Sequence, residues 1–105
     1  MGINKKQIRE NFRNKVFYRD HNKCVFCDIT TNLDAHHITD RNDMPNGGYI
    51  LENGITVCSE HHILCEKFHI SNGIEWCPGF HPNDLYDKIG SSKELAIKID
   101  LKNGK

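Results

Sequence analysis

Apolar residues recur at helical spacing near the start of the chain: Ile8, Phe12 and Val16, with Phe17 beside them, run from about Asn4 to Arg19 with basic residues between. Residues three and four apart share a helix face, so this stretch predicts an amphipathic helix. Asp20-His21-Asn22-Lys23 breaks it and leads into Cys24-Val-Phe-Cys27, a tight knuckle. Leu33-Asp-Ala-His-His-Ile38 is short and bounded by polar residues, and it predicts a strand. A polar loop from Asp40 to Gly48 follows, and Tyr49-Ile-Leu51 predicts a brief extension. Asn53-Gly54 then turns the chain into Ile55-Thr-Val-Cys58, a β-branched strand, after which Ser59 is placed as the cap of a helix running to about His69.

Further along, His81-Pro-Asn-Asp84 reads as the start of a helix over Leu85 to Ile89 that Gly90 ends. Ser91 or Ser92 is placed as the cap of a last helix through Leu95, Ile97 and Ile99. Trp76 and Phe80 are read as a small satellite core. Strands and helices in this order predict an α+β fold in a single domain over 1-105. It divides into a basic N-terminal helix (1-23), a core (24-69) and a C-terminal helical extension (70-105).

Composition adds a constraint. The chain has 105 residues, of which 37% are hydrophobic, and its mean hydropathy is -0.63. So short and polar a chain builds a thin core, and a metal or disulfides are expected to help the fold. Five cysteines is an odd number, and Met-Gly-Ile-Asn-Lys-Lys at the start lacks the apolar core of a signal peptide. Both features favour reduced thiols in a cytoplasmic protein over an oxidised secreted scaffold. No apolar run approaches the roughly 20 residues of a membrane span, so no membrane partner is expected.

Charge is balanced overall but unevenly placed. Lys5, Lys6, Arg9, Arg13, Lys15, Arg19 and Lys23 against Glu10 and Asp20 give the first 23 residues a charge of +5, and the formal total is zero. A basic arm on an acidic body can contact phosphates, or it can simply be a solvated helix face.

Cys24-Val-Phe-Cys27 and Cys58-Ser-Glu-His61 repeat one spacing, with histidine in the fourth place. Three soft thiolates and one imidazole suit tetrahedral zinc, and a closed set of four leaves no position for water, so this site is expected to be structural. Cys65, His69, Cys77 and His81 repeat a Cys-x₃-His pattern. They are candidates for a second zinc, or else a core cysteine and a loop thiol beside ordinary histidines.

His36, His37, Asn53 and His62 remain. Adjacent residues on a strand point to opposite faces, and on a helix they point about 100° apart. His36 and His37 must therefore serve different places, and so must His61 and His62. One of each pair can bind a metal while its neighbour does something else.

From Cys24 to His62 the chain resembles HNH endonucleases, in the pieces Cys24-Val-Phe-Cys27, Ala35-His36-His37-Ile38, Asn53-Gly-Ile-Thr-Val-Cys58 and Ser59-Glu-His61-His62. It departs where His61 replaces the usual cysteine and where His36 stands in place of a frequent aspartate. The resemblance implies a zinc-stabilised ββα-metal (HNH/His-Me finger) core and cleavage of DNA, double-stranded DNA first, by a monomer or homodimer. It implies His37 as general base, His36 and His62 as holders of a divalent ion (Mg²⁺, Mn²⁺, Ni²⁺ or Zn²⁺), and Asn53 as a brace that orients the His37 ring through hydrogen bonds.

Glu66, four residues beyond His62, shares its helix face and is the candidate for a further ligand or a solvated glutamate. Arg41 is read as a solvated loop residue that could clamp a phosphate, and Asp34 as serving strand or turn structure. The competing functional class is a non-catalytic zinc module that binds nucleic acid or protein.

Overall fold

The computed structural model describes residues 4–103. Helix α1 spans Lys5–Arg19, and the Asn4 side chain caps it by accepting from the Gln7 amide at 2.8 Å, which satisfies one donor left free at a helix start. Its buried residues, Phe12 and Val16, lie one turn apart and face the sheet. Lys5, Lys6, Arg9, Arg13 and Lys15 stay exposed. Arg19, counted above with the basic arm, has a structural task instead. Its guanidinium pairs with Asp20 at 2.8 Å and donates to the carbonyls of Leu51 at 2.9 Å and Gly54 at 2.7 Å.

Strand β1 (Leu33–His37) pairs antiparallel with β2 (Gly54–Cys58), in a register that sets Leu33 opposite Cys58 and His37 opposite Gly54. The sequence places Ile38 in β1; the strand ends at His37, and the Ile38 amide continues the same register by one bond, donating to the Asn53 carbonyl at 2.9 Å. The expected extension over Tyr49-Leu51 is a tighter structure, a 3₁₀ turn at Leu51–Asn53. β2 is buried along its whole length. At its start a Cβ on Gly54 would come within 2.7 Å of the Phe12 ring, so only glycine lets α1 pack this closely on the sheet.

Helix α2 spans Ser59–Ile70, and α1 and α2 lie on opposite faces of β1: His37 stacks on Phe12 of α1, whereas His36 meets His62 and Glu66 of α2. Cys58, not Ser59, occupies the cap position, and no side chain bonds to the helix start. The reason is that Ser59 already has helical geometry as the first residue of the turn. Helix α3 (Pro82–Ile89) starts with His81 and Asp84 bonding each other's backbone, and Gly90 ends it in the left-handed region at φ 71°. In helix α4 (Lys93–Asn103) it is Ser92 that caps, accepting from the Leu95 amide at 3.0 Å, while Ser91 donates to the Glu52 carbonyl at 2.9 Å.

Ile38, Met44, Ile50, Ile55, Val57, Cys65, Leu85, Tyr86 and Ala96 form the core. Trp76 and Phe80 do not form a unit of their own. Phe80 packs on Phe26 at 4.7 Å, and Trp76, 45% exposed, sits against His81 and Phe68. From α4 the fully buried Asp100 reaches the polar loop, accepting from the Asn46 amide at 2.7 Å and the Gly48 amide at 3.2 Å. The fold is thus α+β: the described residues form four α-helices around a two-stranded sheet, with a radius of gyration of 13.1 Å. Among the described residues, no helix is long and apolar enough to cross a membrane.

Candidate metal centres

The knuckle and the start of α2 bring Cys24, Cys27, Cys58 and His61 together, with one ligand atom from each lying within 4.8 Å of the others. Donors bound tetrahedrally to one zinc, about 2.0 to 2.3 Å from it, lie about 3.5 to 3.8 Å from each other. Here Cys27 Sγ and Cys58 Sγ are 3.7 Å apart, and His61 Nδ1 is 3.7 Å from Cys24 Sγ and 3.2 Å from Cys58 Sγ. The separation of the sulfurs excludes a disulfide, and all five cysteines are free.

Electrostatics argue for a cation in the same place. Burial pushes the Cys24 thiol up, but the amides of Phe26, Cys58 and Cys27 outweigh it and hold its pKa below the ordinary value. The His61 backbone and side chain lower Cys58 as well. At Cys27 the Ile29 amide favours the thiolate, yet local desolvation and the crowding of Cys24 and Cys58 raise it to about 11. Three sulfurs poised to share negative charge cannot all ionise without a counter-ion, and a divalent metal such as zinc supplies one. Phe26 stacks on the His61 ring at 5.3 Å and fixes its plane.

A second cluster forms on the α2 face of β1. His36 Nδ1 lies 3.1 Å and His62 Nε2 lies 3.7 Å from the same Glu66 oxygen, and the ligand atoms of all three residues lie within 4.8 Å of one another. Burial lowers the His36 pKa and the neighbouring His36 lowers that of Glu66, so the site sets a neutral His36 imidazole beside a carboxylate. His36 is 2% exposed, and its buried Nε2 has no hydrogen-bond partner among the described residues. Two nitrogens and one oxygen suit a divalent ion, and three protein ligands leave coordination positions open.

His37 points the other way. Its ring stacks on Phe12 at 4.5 Å and meets the Tyr49 ring edge-on at 4.9 Å, and its buried Nε2 has no hydrogen-bond partner among the described residues. Burial, aided by the neighbouring His36, lowers its pKa to about 4. It is therefore a neutral base at ordinary pH.

Asn53 braces the site without orienting the His37 ring by hydrogen bonds, which corrects the expectation from sequence. It is fully buried, and its four hydrogen bonds go to the Thr39 amide (2.9 Å), the Thr39 carbonyl (3.0 Å), the Gly48 carbonyl (3.2 Å) and the Tyr86 hydroxyl (2.7 Å). It reaches the segment after His37 instead, its backbone carbonyl accepting from the Ile38 amide and its side chain holding Thr39. The physical reason is position. Asn53 sits in the 3₁₀ turn under the loop, where two carbonyls and two donors converge on it.

The second Cys-x₃-His set does not gather. Among the described residues only the two clusters above place three or more ligand-type side chains together. Cys65 is buried in the core, and burial lifts its thiol to about 12. His69 Nε2 lies 3.0 Å from the His37 carbonyl, to which it must donate, and its ring stacks on His36 at 5.3 Å. His81 Nδ1 accepts from the Asn83 amide as the cap of α3. Cys77 lies in the loop that precedes Phe80, whose amide bonds the Cys77 carbonyl at 2.9 Å.

Three contributors lacked a clear reading in the sequence. Asp34 was assigned to strand structure but faces His62 at 3.4 Å, and the period of two along β1 already put it on the His36 face. Tyr49 and Asp100 gave no signal, because their contacts with the His37 ring and the loop are tertiary. Family models, curated proteins and solved structures were compared with this chain, and none matches.

Proposed function

We propose that this chain is a metal-dependent endonuclease of the HNH type that hydrolyses phosphodiester bonds of double-stranded DNA, with its two strands and α2 as the ββα-metal core. The observation that carries this reading is the division between neighbouring histidines. His61 joins three cysteines in a closed set suited to structural zinc, while His62 joins His36 and Glu66 in an open one. A binding module stabilised by zinc needs the first set alone.

His36, His62 and Glu66 would hold the working ion. Mg²⁺, Mn²⁺, Ni²⁺ or Zn²⁺ bound there would place positive charge beside the scissile phosphate and its leaving oxygen. His37 closes β1, next to His36 but on the other face, and takes the proton from the attacking water. Its desolvated, neutral imidazole is ready to accept it. Asn53 keeps the chain after His37 in place by holding both the amide and the carbonyl of Thr39. The exposed Lys5, Lys6, Arg9 and Lys15 of α1 supply phosphate contacts indifferent to sequence. Products would carry 5′-phosphate.

Plasmid cleavage with each of the four ions, comparing the parent with His37→Ala at equal zinc content, tests the reading. The variant should lose about 10²- to 10⁴-fold in rate. Equal rates would remove His37 from the mechanism. Failure to cut any DNA or RNA with any ion would favour the non-catalytic zinc module.

A further inference from the structure

The α2 face of β1 holds one charged group that the proposed mechanism leaves unused. Alternation along β1 puts Asp34 and His36 on one face, and helical spacing puts His62 and Glu66 on the facing side of α2. Asp34 Oδ2 lies 3.4 Å from His62 Nδ1, while His62 Nε2 lies 3.7 Å from Glu66 Oε2. Asp34 does not belong to the group whose ligand atoms lie within 4.8 Å of one another. It stands behind His62, not beside it.

We infer that Asp34 is a positioning residue that fixes the tautomer and ring orientation of His62, so that Nε2 presents its lone pair to an ion shared with His36 and Glu66. This rests on the reading of that cluster as an ion site. A neutral imidazole carries one N–H and one lone pair, and a carboxylate can only accept. Carboxylates flank both nitrogens of His62, so the proton has two places to go. The Glu66 oxygen near Nε2 also lies 3.1 Å from His36 Nδ1, with which it would share the ion, and it is the farther of the two from His62. The Asp34 carboxylate is closer and, among the described residues, has no competing ion pair. The proton therefore settles on Nδ1, and Nε2 is left free to ligate.

Carboxylate–histidine–metal arrangements of this kind hold a ligand ring in place and raise its basicity, and losing the carboxylate costs about 10- to 100-fold in metal affinity. The consequence for α2 is that adjacent histidines use opposite nitrogens. His61 offers Nδ1 to the cysteine cluster, and His62 would offer Nε2 to the ion it shares with His36 and Glu66.

The test uses the zinc-loaded full chain, ¹⁵N-labelled at histidine, with Asp34→Ala and Asp34→Asn. Asp34 is exposed on the strand surface, its side chain 55% accessible, so both variants should fold and keep their zinc. Long-range ¹H–¹⁵N spectra report which nitrogen of His62 bears the proton. Calorimetric titration with Ni²⁺ reports the affinity of the open cluster. The parent should show Nδ1–H at His62. Asp34→Ala should lose that preference and bind Ni²⁺ about 10- to 100-fold more weakly, and Asp34→Asn, whose amide oxygen accepts the same bond, should recover much of both.

An unchanged His62 tautomer in Asp34→Ala would overturn the inference. So would an asparagine variant as weak as the alanine one, because plain charge attraction would then explain the effect. A parent that takes up no Ni²⁺ beyond its zinc would overturn the ion-site reading, while the tautomer would still decide whether Asp34 governs His62.

Discussion

The Tyr86 hydroxyl donates to Asn53 Oδ1 at 2.7 Å, and Thr39 Oγ1 lies 2.6 Å from the same hydroxyl. This buried bond ties α3 to the 3₁₀ turn that opens β2. It also fixes the segment that follows His37, since Asn53 holds Thr39 by two further bonds. Tyr86→Phe removes the donor and leaves Asn53 Oδ1 with one partner, at a cost of about 1 to 3 kcal/mol. Asn53→Ala should cost more, because it strands two carbonyls and two donors in a dry interior. Urea unfolding of both variants and the double variant should give a coupling energy of about 0.5 to 3 kcal/mol. Additive effects would show that the two side chains do not act as one brace.

Removal of the ion from the cysteine cluster should unfold the protein. Structural zinc contributes about 10 to 16 kcal/mol in small zinc peptides, more than the roughly 5 to 15 kcal/mol by which a whole domain is stable. Strong chelator should therefore abolish the cooperative thermal transition seen by far-UV circular dichroism. Cys27→Ser is the informative variant, since Cys27 is exposed and adds little to the core. It should lower zinc content and melting temperature together, and Cys77→Ser, outside both clusters, should change neither. Full stability of the chelated protein would remove zinc from the account.

How much of this was legible in the sequence depends on the range of the contacts. Cys24, Cys27, Cys58 and His61 could be read from spacing, because each pair sits on one local turn and only the meeting of the two turns was left to infer. The opposite directions of His36 and His37 followed from strand geometry, and the shared face of His62 and Glu66 from helix geometry. The second zinc set failed for the same physical reason. Cys-x₃-His spacing aligns two side chains on a helix, but it cannot say that His81 ends up capping a different helix. Asp100 and Tyr86 lie far along the chain from Gly48 and Asn53, which they hold. Nothing local marks them.

Gly54→Ala tests how closely α1 is docked. An added Cβ would fall 2.7 Å from the Phe12 ring and close to Val16, both buried beneath the helix. Neither neighbour can swing into solvent, so relief requires the helix to shift. Overpacking of this kind costs about 1 to 3 kcal/mol. Phe12 also stacks on His37, and the shift should therefore appear in the chemical shifts of the His37 ring as well as in the denaturant midpoint. Loss of stability with an unmoved His37 ring would separate the packing of α1 from the site.

His37 should make stability fall in mild acid. Burial, followed by the repulsion of His36, lowers its folded pKa to about 4, with Asp40 opposing the change. In the unfolded chain the imidazole protonates near its ordinary pKa of about 6.5. Between these values the unfolded state holds a proton that the folded state refuses, so stability drops as pH falls through this window. Above about pH 6.5 both states are neutral and the full stability is present. Below about 4 both are protonated and no further loss accrues. The whole effect is at most about 3 kcal/mol. Acid also releases metal from thiolates, so the parent alone cannot isolate this group. His37→Phe keeps an aromatic ring against Phe12 and removes the proton site, and metal release affects both proteins alike. The difference in unfolding free energy between variant and parent should therefore grow in favour of the variant from about pH 7 to about pH 4. Parallel stability curves over that range would mean that His37 protonates as readily folded as unfolded, and its role as a base held neutral by burial would have to be abandoned.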